Sequence, residues 1–164
     1  MTQKILVTGG LGYIGSHTVV ALHEAGFIPV IVDNCSNASP DFLQRNARII
    51  GYTPEFYNVD VCDATALHEV FKNTPFSGVI HFAAYKSVGD SVKNPLSYYR
   101  NNVDGLLSLL EIMHNANCGN LVFSSSCSVY GDAKEQPVSE TTTLEKAQSP
   151  YAHTKQIGVD ILQS

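Results

Sequence analysis

The chain has 164 residues, of which 44% are apolar and 15% are charged, and it carries a net charge of −5 at pH 7. This length fits one domain with its own core, and the composition is typical of a globular protein and not of a disordered one. The negative charge and the lack of Lys or Arg runs argue against nucleic acid or an anionic membrane as the main partner. No apolar stretch approaches membrane-spanning length, and the N-terminal residues do not form a signal-peptide pattern.

The cysteines and histidines form no recognisable metal or disulfide pattern. The six histidines include no His-x-His or His-x-x-x-His pair beside carboxylates, so we predict no metal site. No two cysteines form a Cys-x-x-Cys pair, and we interpret them as free thiols in a reducing compartment, which predicts a cytoplasmic protein. The cysteines are Cys35, Cys62, Cys118 and Cys127.

Short apolar runs alternate with helical patterns along the chain. Strands are predicted over Lys4–Thr8, Pro29–Val32, Glu55–Val59, Gly78–Phe82 and Asn120–Ser124. Helices are predicted over His17–Ala25, Asp41–Ile50, Ala64–Lys72, Pro95–Ala116 and Pro150–Ser164, and a loop over Glu135–Thr143. The alternation predicts an α/β fold with a doubly wound parallel sheet, in one domain that spans residues 1–164.

A glycine-rich loop follows the first strand and leads into a helix predicted to begin near Ser16. Gly9 permits a tight turn, Gly12 lets the backbone approach a pyrophosphate, and Gly15 allows the helix to pack closely on the strand. Asp33 ends the second strand 18 positions after Gly15, which suits a carboxylate that binds a ribose 2′-hydroxyl and repels the extra phosphate of NADP. The pattern predicts NAD on a Rossmann-like fold; the alternative is a simple glycine turn with Asp33 as a helix cap.

The third and fourth predicted strands are each followed by residues that suit a nucleotide site. Asp60 and Val61 follow the third strand, and the segment 82–86 (Phe-Ala-Ala-Tyr-Lys) follows the fourth. Ligands of open α/β sheets lie across the carboxyl ends of the strands, so these residues are expected to line the adenine and nicotinamide regions.

Tyr151 and Lys155 lie four residues apart on the last predicted helix, for which Ser149 is the expected N-cap and Pro150 the first-turn proline. An ammonium beside a phenol favours the phenolate, which can act as a general base. The fifth strand ends in the hydroxyls of residues 124–126, where a substrate oxygen can be hydrogen-bonded. The Tyr-Lys spacing alone occurs by chance in many helices, but its combination with the glycine loop and the serine-rich strand end favours a catalytic pair.

These segments together resemble the extended short-chain dehydrogenase/reductase family, and within it the enzymes that act on nucleotide sugars. The resemblance covers essentially the whole chain and is carried by residues 7–17, 33–34, 81–86, 95–103, 124–132 and 149–155. It implies NAD-dependent inversion at C4 of a UDP-hexose through a transient 4-keto sugar.

The resemblance also implies roles for individual residues. Ser126, Tyr151 and Lys155 would be catalytic: Tyr151 removes the proton of the sugar 4-hydroxyl, Ser126 hydrogen-bonds that oxygen, and Lys155 holds the nicotinamide ribose. Ser126 and Tyr151 would also contact the substrate. The residues implied to bind NAD are Gly9, Gly12, Tyr13, Ile14, Gly15, Asp33, Asn34, Asn37, Asp60, Val61, Phe82, Ala83, Ala84, Lys86, Asn101, Ser124, Tyr151 and Lys155.

Two features bear on competing activities and on completeness. The nearest alternatives within the family are the nucleotide-sugar dehydratases and decarboxylases. The dehydratases resemble one another in an Asp-Glu pair just before Val-Tyr-Gly, whereas this chain has Cys127 and Ser128 there, which disfavours elimination. Family members are about twice as long, which fits a further domain-sized unit. We therefore expect the C-terminal strands and the UDP-sugar domain to lie outside this chain and turnover to require them; the alternative is a stand-alone NAD-binding module.

An apolar stripe recurs at helical spacing along Pro95–Ala116. By resemblance, this helix and the helix at 150–164 would pack across a dimer axis, which predicts a homodimer. A buried face within one subunit explains the stripe equally well. The stripe comprises Leu96, Tyr99, Val103, Leu107 and Leu110.

Overall fold

Five parallel strands form a single sheet in the computed structural model, which describes residues 3–134 and 136–164. The strand order is β3-β2-β1-β4-β5. All five predicted strands are present: β1 has the predicted bounds, and the ends of the others differ from the prediction by at most two residues. The strands are β1 (Lys4–Thr8), β2 (Ile28–Val32), β3 (Glu55–Tyr57), β4 (Gly78–His81) and β5 (Leu121–Phe123).

Seven α-helices occur in the described residues, and none is long and apolar enough to cross a membrane. A π-helical segment, Arg100–Asp104, and a 3-10 turn, Cys127–Tyr130, complete the elements. The described residues of the predicted loop form no helix or strand; Glu135 lies outside them. The helices are α1 (Tyr13–Glu24), α2 (Asp41–Ile50), α3 (Ala64–Asn73), α4 (Val88–Lys93), α5 (Pro95–Tyr99), α6 (Gly105–Asn115) and α7 (Pro150–Gln163).

The chain forms two compact units. The sheet unit contains the chain up to Ala83 together with Leu107–Ser124, and therefore all five strands. The helical unit contains Ala84–Leu106 and Ser125–Ser164. The assignment of one domain to residues 1–164 stays a prediction.

The core of the sheet unit lies on both faces of the sheet, because neighbouring residues of a strand point to opposite faces. On one face Leu6 of β1 belongs to a buried cluster with Leu67 of α3 and Leu109 of α6. On the other face Val7 of β1 belongs to a cluster with Val19 of α1. Helices on both faces of a parallel sheet make the fold doubly wound, as predicted.

The predicted helix Pro95–Ala116 is present and helical over 95–115, but its geometry changes within that span. The π-helical segment separates α5 from α6, and α6 ends at Asn115. A separate short helix, α4, precedes α5 and was not predicted; Ser87 caps it by accepting a hydrogen bond from Asp90 N at 3.2 Å. The segment 87–94 lacks an apolar period long enough to indicate a helix.

The residues of the predicted apolar stripe are not the buried ones in this segment. Leu96 is 75% exposed and Leu107 is 43% exposed, whereas Tyr98 is only 2% exposed and Asn102 only 5%. The buried positions therefore include an asparagine, and a count of apolar residues alone selects the wrong face. Leu96 and Leu107, two members of the predicted stripe, are thus exposed in this chain.

Candidate functional site

The glycine loop, Gly9–Gly15, packs so tightly that side chains are excluded at two of its positions. A Cβ atom on Gly15 would lie 2.2 Å from the carbonyl oxygen of Gly9, and one on Gly9 would lie 2.7 Å from Ala83 N. Gly9 also has a φ of +70°, which L-residues with a side chain rarely adopt. The loop thus holds its backbone close to the segment that follows β4.

Helix α1 begins at Tyr13, earlier than the predicted start near Ser16. Gly15 lies in its first turn, where the close packing on Gly9 outweighs the low helix propensity of glycine. Gly12 is the N-cap, has an extended backbone and supplies no side-chain cap. An uncapped helix N-terminus leaves N–H groups available to an anion such as a pyrophosphate.

Asp33 joins the glycine loop to the end of β2. Its Oδ2 accepts a hydrogen bond from Leu11 N at 3.0 Å, and its Oδ1 accepts one from Cys35 N at 2.9 Å. Neither donor lies in the first turn of a helix, so the alternative of a helix cap is wrong. A carboxylate oxygen can accept a second hydrogen bond, so the predicted contact with the ribose is compatible with these bonds and stays a prediction.

Asn34 and Asp60, both predicted to bind NAD, contact each other directly. Asn34 Nδ2 donates to Asp60 Oδ2 at 2.9 Å, and Cys62 N donates to Asp60 Oδ1 at 2.9 Å. Burial acts to raise the pKa of Asp60, but the hydrogen bonds from Cys62 and Asn34 outweigh it, and the pKa lies below its ordinary value. Asp60 is therefore an ionised, ordered acceptor near the end of β3.

The other predicted NAD residues of the sheet unit differ in accessibility. Tyr13 and Ile14 are 74% and 58% exposed in the first turn of α1, and Asn37 is exposed between β2 and α2. Val61 is 5% exposed and its side chain belongs to the core. Ser124 follows β5, and its N donates to the carbonyl of the neighbouring strand's end.

The segment after β4 contains residues of both units. Phe82 and Ala83 are half-buried in the sheet unit. Ala83 N donates to Thr8 Oγ1 at 3.4 Å, and the same hydroxyl lies 2.7 Å from Nδ1 of the buried His81. In the helical unit, Ala84 is half-buried and Lys86 is exposed.

Helix α7 carries Tyr151 and Lys155, and it begins as predicted. Ser149 Oγ accepts a hydrogen bond from Ala152 N at 3.1 Å, and Pro150 occupies the first turn. Tyr151 is half-buried, and Lys155, one helical turn further on, is only 4% exposed. Burial lowers the pKa of Lys155 to about 8, so at pH 7 Lys155 is protonated in roughly 90% of the molecules.

Ser126 is the N-cap of the 3-10 turn that packs against α7. Its Oγ accepts hydrogen bonds from Ser128 N at 3.3 Å and from Ser128 Oγ at 2.9 Å. Both bonds use the oxygen as acceptor, so the hydroxyl proton of Ser126 remains available for donation. Within the helical unit, therefore, the Ser126 turn and the Tyr151 helix are brought together.

Asn102, which the sequence did not indicate, organises the helical unit. It lies in the π-helical segment, and its amide pairs with both backbone groups of Tyr85: Tyr85 N donates to Oδ1 at 2.8 Å and Nδ2 donates to Tyr85 O at 2.9 Å. Nδ2 also donates to Thr154 Oγ1 at 3.0 Å, while Asn101 Nδ2 donates to Oδ1 at 2.9 Å. Thr154 in turn donates to the carbonyl of Tyr151 at 2.7 Å. Asn102 lies within the segment 95–103 that carries the resemblance, but no role was predicted for it.

The prediction that no metal site is present was based on residue spacing. Among the residues that the structure describes, no group of three or more His, Cys, Asp or Glu side chains is arranged to hold a metal ion.

Known proteins match this chain along nearly its whole length. The profile of the NAD dependent epimerase/dehydratase family matches residues 5–164. UDP-glucose 4-epimerase of Yersinia pestis is 50% identical over 159 residues, which is 97% of this chain and 47% of that protein. The human UDP-glucose 4-epimerase is 47% identical over 161 residues, which is 94% of this chain and 46% of that protein.

A solved structure also matches along nearly the whole chain. The UDP-glucose 4-epimerase of Bifidobacterium longum, in complex with NAD+ and UDP, superposes with a TM-score of 0.96 at 40% identity, over 98% of this chain and 48% of that one. The chain thus spans about half the length of the curated relatives that it matches. It belongs to the NAD dependent epimerase/dehydratase family.

Proposed function

We propose that the chain is the NAD-binding and catalytic part of a UDP-glucose 4-epimerase, which inverts C4 of a UDP-hexose through a transient 4-keto sugar. The observation that carries the proposal is the buried Lys155 one helical turn from Tyr151. A buried lysine costs stability, so its presence one helical turn from a tyrosine favours a catalytic use. The names of the relatives supply the substrate and the position of inversion.

The residues of the sheet unit fit a dinucleotide. The loop leaves no room for Cβ atoms at Gly9 and Gly15, and the first turn of α1 has no side-chain cap. Tyr13 and Ile14 would lie along the pyrophosphate, and Asp33 would hold the ribose of the adenosine. Asn34, Asn37, Asp60 and the backbone of Val61 would complete the adenosine site, and Phe82, Ala83, Ala84, Lys86, Asn101 and Ser124 would hold the rest of NAD.

The proposed chemistry uses three side chains of the helical unit. When bound, NAD supplies a nicotinamide that takes hydride from sugar C4 and returns it to the other face. Tyr151 as phenolate accepts the proton of the 4-hydroxyl, and its phenol returns that proton to the oxygen in the second half-reaction. Ser126 donates its free hydroxyl proton to the same oxygen, and the charge of Lys155 stabilises the phenolate.

Elimination, the reaction of the related dehydratases, is the less favoured alternative. It requires a carboxylic acid where this chain has Cys127 and Ser128. Ser128 Oγ instead donates to Ser126 Oγ, and Cys127 is an exposed thiol. A stand-alone NAD-binding module is the other alternative, but such a module has no need of Ser126, Tyr151 and Lys155 in one unit.

The test is an assay for conversion of UDP-galactose to UDP-glucose with this chain alone and with the coding sequence extended beyond Ser164. We expect turnover with the extended chain and retained NAD in both.

Tyr151→Phe should lower turnover by at least about 100-fold and leave NAD bound, because the phenol proton acceptor is lost. Tyr52→Phe, at an exposed tyrosine, is the matched control. Full activity of Tyr151→Phe would exclude a phenolate base, and NAD retention without turnover by the extended chain would favour the module.

A homodimer through the helices at 95–116 and 150–164 is also proposed. Leu96 and Leu107 expose apolar surface that a second copy would bury. Sedimentation of the wild type and of Leu96→Glu tests this proposal; we expect the variant to shift toward monomer, and a monomeric wild type would contradict the dimer.

A further inference from the structure

Gln156 follows Lys155 directly on α7 and uses its side-chain amide to join three segments of the helical unit. Its Nε2 donates to Val129 O at 2.8 Å and to Glu145 O at 2.6 Å. A primary amide nitrogen carries two hydrogens, so both bonds form at once and its donor capacity is fully used. No motif or resemblance in the sequence pointed to this residue.

The first of these carbonyls belongs to the turn that carries Ser126. Val129 is 4% exposed and its N donates to Ser126 O at 3.1 Å, within the 3-10 turn that Ser126 caps. A bond to Val129 O therefore fixes the turn relative to α7. The hydroxyl of Ser126 lies at the start of that turn.

The second carbonyl belongs to the segment that returns toward α7. This segment packs directly on the residue after the turn: a Cβ atom on Gly131 would lie 2.8 Å from Lys146 O and 3.0 Å from Glu145 Cβ. Gly131 also has a φ of +59°. The end of the turn, the returning segment and α7 thus meet at the amide of Gln156.

We propose that Gln156 is a positioning residue for the epimerisation, which holds the Ser126 hydroxyl in register with Tyr151 and Lys155. The inference rests on the proposed function and deepens it. Gln156 acts through the turn, since its amide donors are both used by backbone carbonyls. Tyr151 and Lys155 lie on the same helix as Gln156. A hydrogen bond from that helix to the turn therefore fixes the position of the Ser126 hydroxyl relative to these two side chains.

Loss of the amide donors is expected to loosen the turn. Gln156→Glu keeps the size of the side chain but places carboxylate oxygens against two carbonyl oxygens. Gln156→Met removes the donors without adding charge. Because small displacements of a catalytic group can cost up to roughly 100-fold in rate, we expect both variants to lower kcat by roughly 10- to 100-fold at unchanged KM and unchanged NAD content.

The experiment uses the extended chain with its NAD, and Gln148→Glu is the matched control. Gln148 is exposed and donates only to Lys146 O, at 3.1 Å, so the same substitution there should leave kcat unchanged. A purely structural role would reduce the yield of folded protein but not kcat per bound NAD. Unchanged kcat in Gln156→Met, or an equal loss of kcat in Gln148→Glu, would overturn the proposal. If Gln156→Glu fails to fold, the test rests on Gln156→Met alone.

Hydrogen exchange separates this inference from the proposed function. The amides of Val129 and Gly131 are bonded within the turn, so their exchange should be faster in Gln156→Met than in the wild type and in Gln148→Glu. Faster exchange at these amides would show that Gln156 holds the Ser126 turn in place even if the wild type has no epimerase activity, an outcome that would refute the proposed function. Unchanged exchange would refute the positioning role whatever the activity.

Discussion

The sheet unit and the helical unit hold their candidate site residues by different means. In the sheet unit, backbone does most of the positioning: Gly9 and Gly15 allow close approach of main-chain atoms, and Asp33 is fixed by two backbone N–H groups. In the helical unit, side-chain amides do it: Asn102 pairs with the backbone of Tyr85, and Gln156 binds two distant carbonyls.

This difference follows from what each unit is proposed to do. A dinucleotide is recognised largely by backbone N–H groups, which require glycine and leave a visible sequence signature. A general base and its partners are side chains whose relative placement must be set by other side chains. Those supporting residues have no fixed spacing, so the proposed catalytic region is the harder one to recognise.

The largest effect is expected from Gly15→Ala, which tests backbone packing in the sheet unit. The added Cβ would lie 2.2 Å from Gly9 O, which is a backbone atom and cannot rotate away as a flexible side chain could. We therefore expect a loss of at least about 4 kcal/mol in the free energy of unfolding. Denaturant unfolding and NAD binding measure it. Gly89→Ala in α4, where no atom lies within 4 Å of the new Cβ, should instead be neutral or stabilise by up to about 1 kcal/mol. Similar effects of the two variants would contradict the packing argument.

Lys155→Met tests the buried charge in the helical unit, and we expect it to raise the free energy of unfolding instead of lowering it. Below pH 8 the folded and unfolded states both carry the lysine proton, so burial of the charge lowers the free energy of unfolding by its full amount. At 1.36 kcal/mol per pKa unit, the lowered pKa corresponds to about 3 kcal/mol. Between about pH 8 and 10.5 the unfolded state binds more protons, so the cost disappears as the pH rises.

Unfolding of NAD-free protein measured from pH 7 to 10.5 checks this prediction. Lys155→Met should be more stable than the wild type at pH 7, and the difference should shrink toward pH 10.5. Lys72→Met is the control, because Lys72 is 63% exposed and should show a small effect without this pH dependence. A destabilised Lys155→Met at pH 7 would mean that the interactions of the ammonium outweigh the cost of its burial.

Asn102→Asp tests side-chain positioning in the helical unit. The substitution removes both N–H donors, leaves Thr154 without this bond and sets a carboxylate against the carbonyl of Tyr85. We expect a loss of about 2 kcal/mol in the free energy of unfolding. Asn120→Asp, which removes an exposed bond to Ser77 O, should cost about 0.5 kcal/mol or less. Equal losses in the two variants would show that the Asn102 clamp adds no stability.

Much of the sheet unit was predictable because its signals are local. All five strands follow from short apolar runs, and the close packing at Gly9 and Gly15 follows from the glycine spacing. The start of α1 was missed by three residues, because Gly15 occupies a helical turn that its propensity disfavours. The N-cap of α7 at Ser149 was correct, because capping depends on a single residue type next to a helix.

By itself, the sequence determined the doubly wound fold, the glycine loop and the Tyr151–Lys155 pair, since each depends on residues that are near one another in the chain. Only the tertiary structure decided which positions of the segment 95–116 are buried, where its π-helical turn lies and which residues support the helix that carries Tyr151 and Lys155. Asn102 meets Tyr85 and Thr154 across 17 and 52 residues, and Gln156 meets Val129 across 27. Contacts over such separations leave no periodic pattern, because they are selected by packing and by the need to pair buried polar groups.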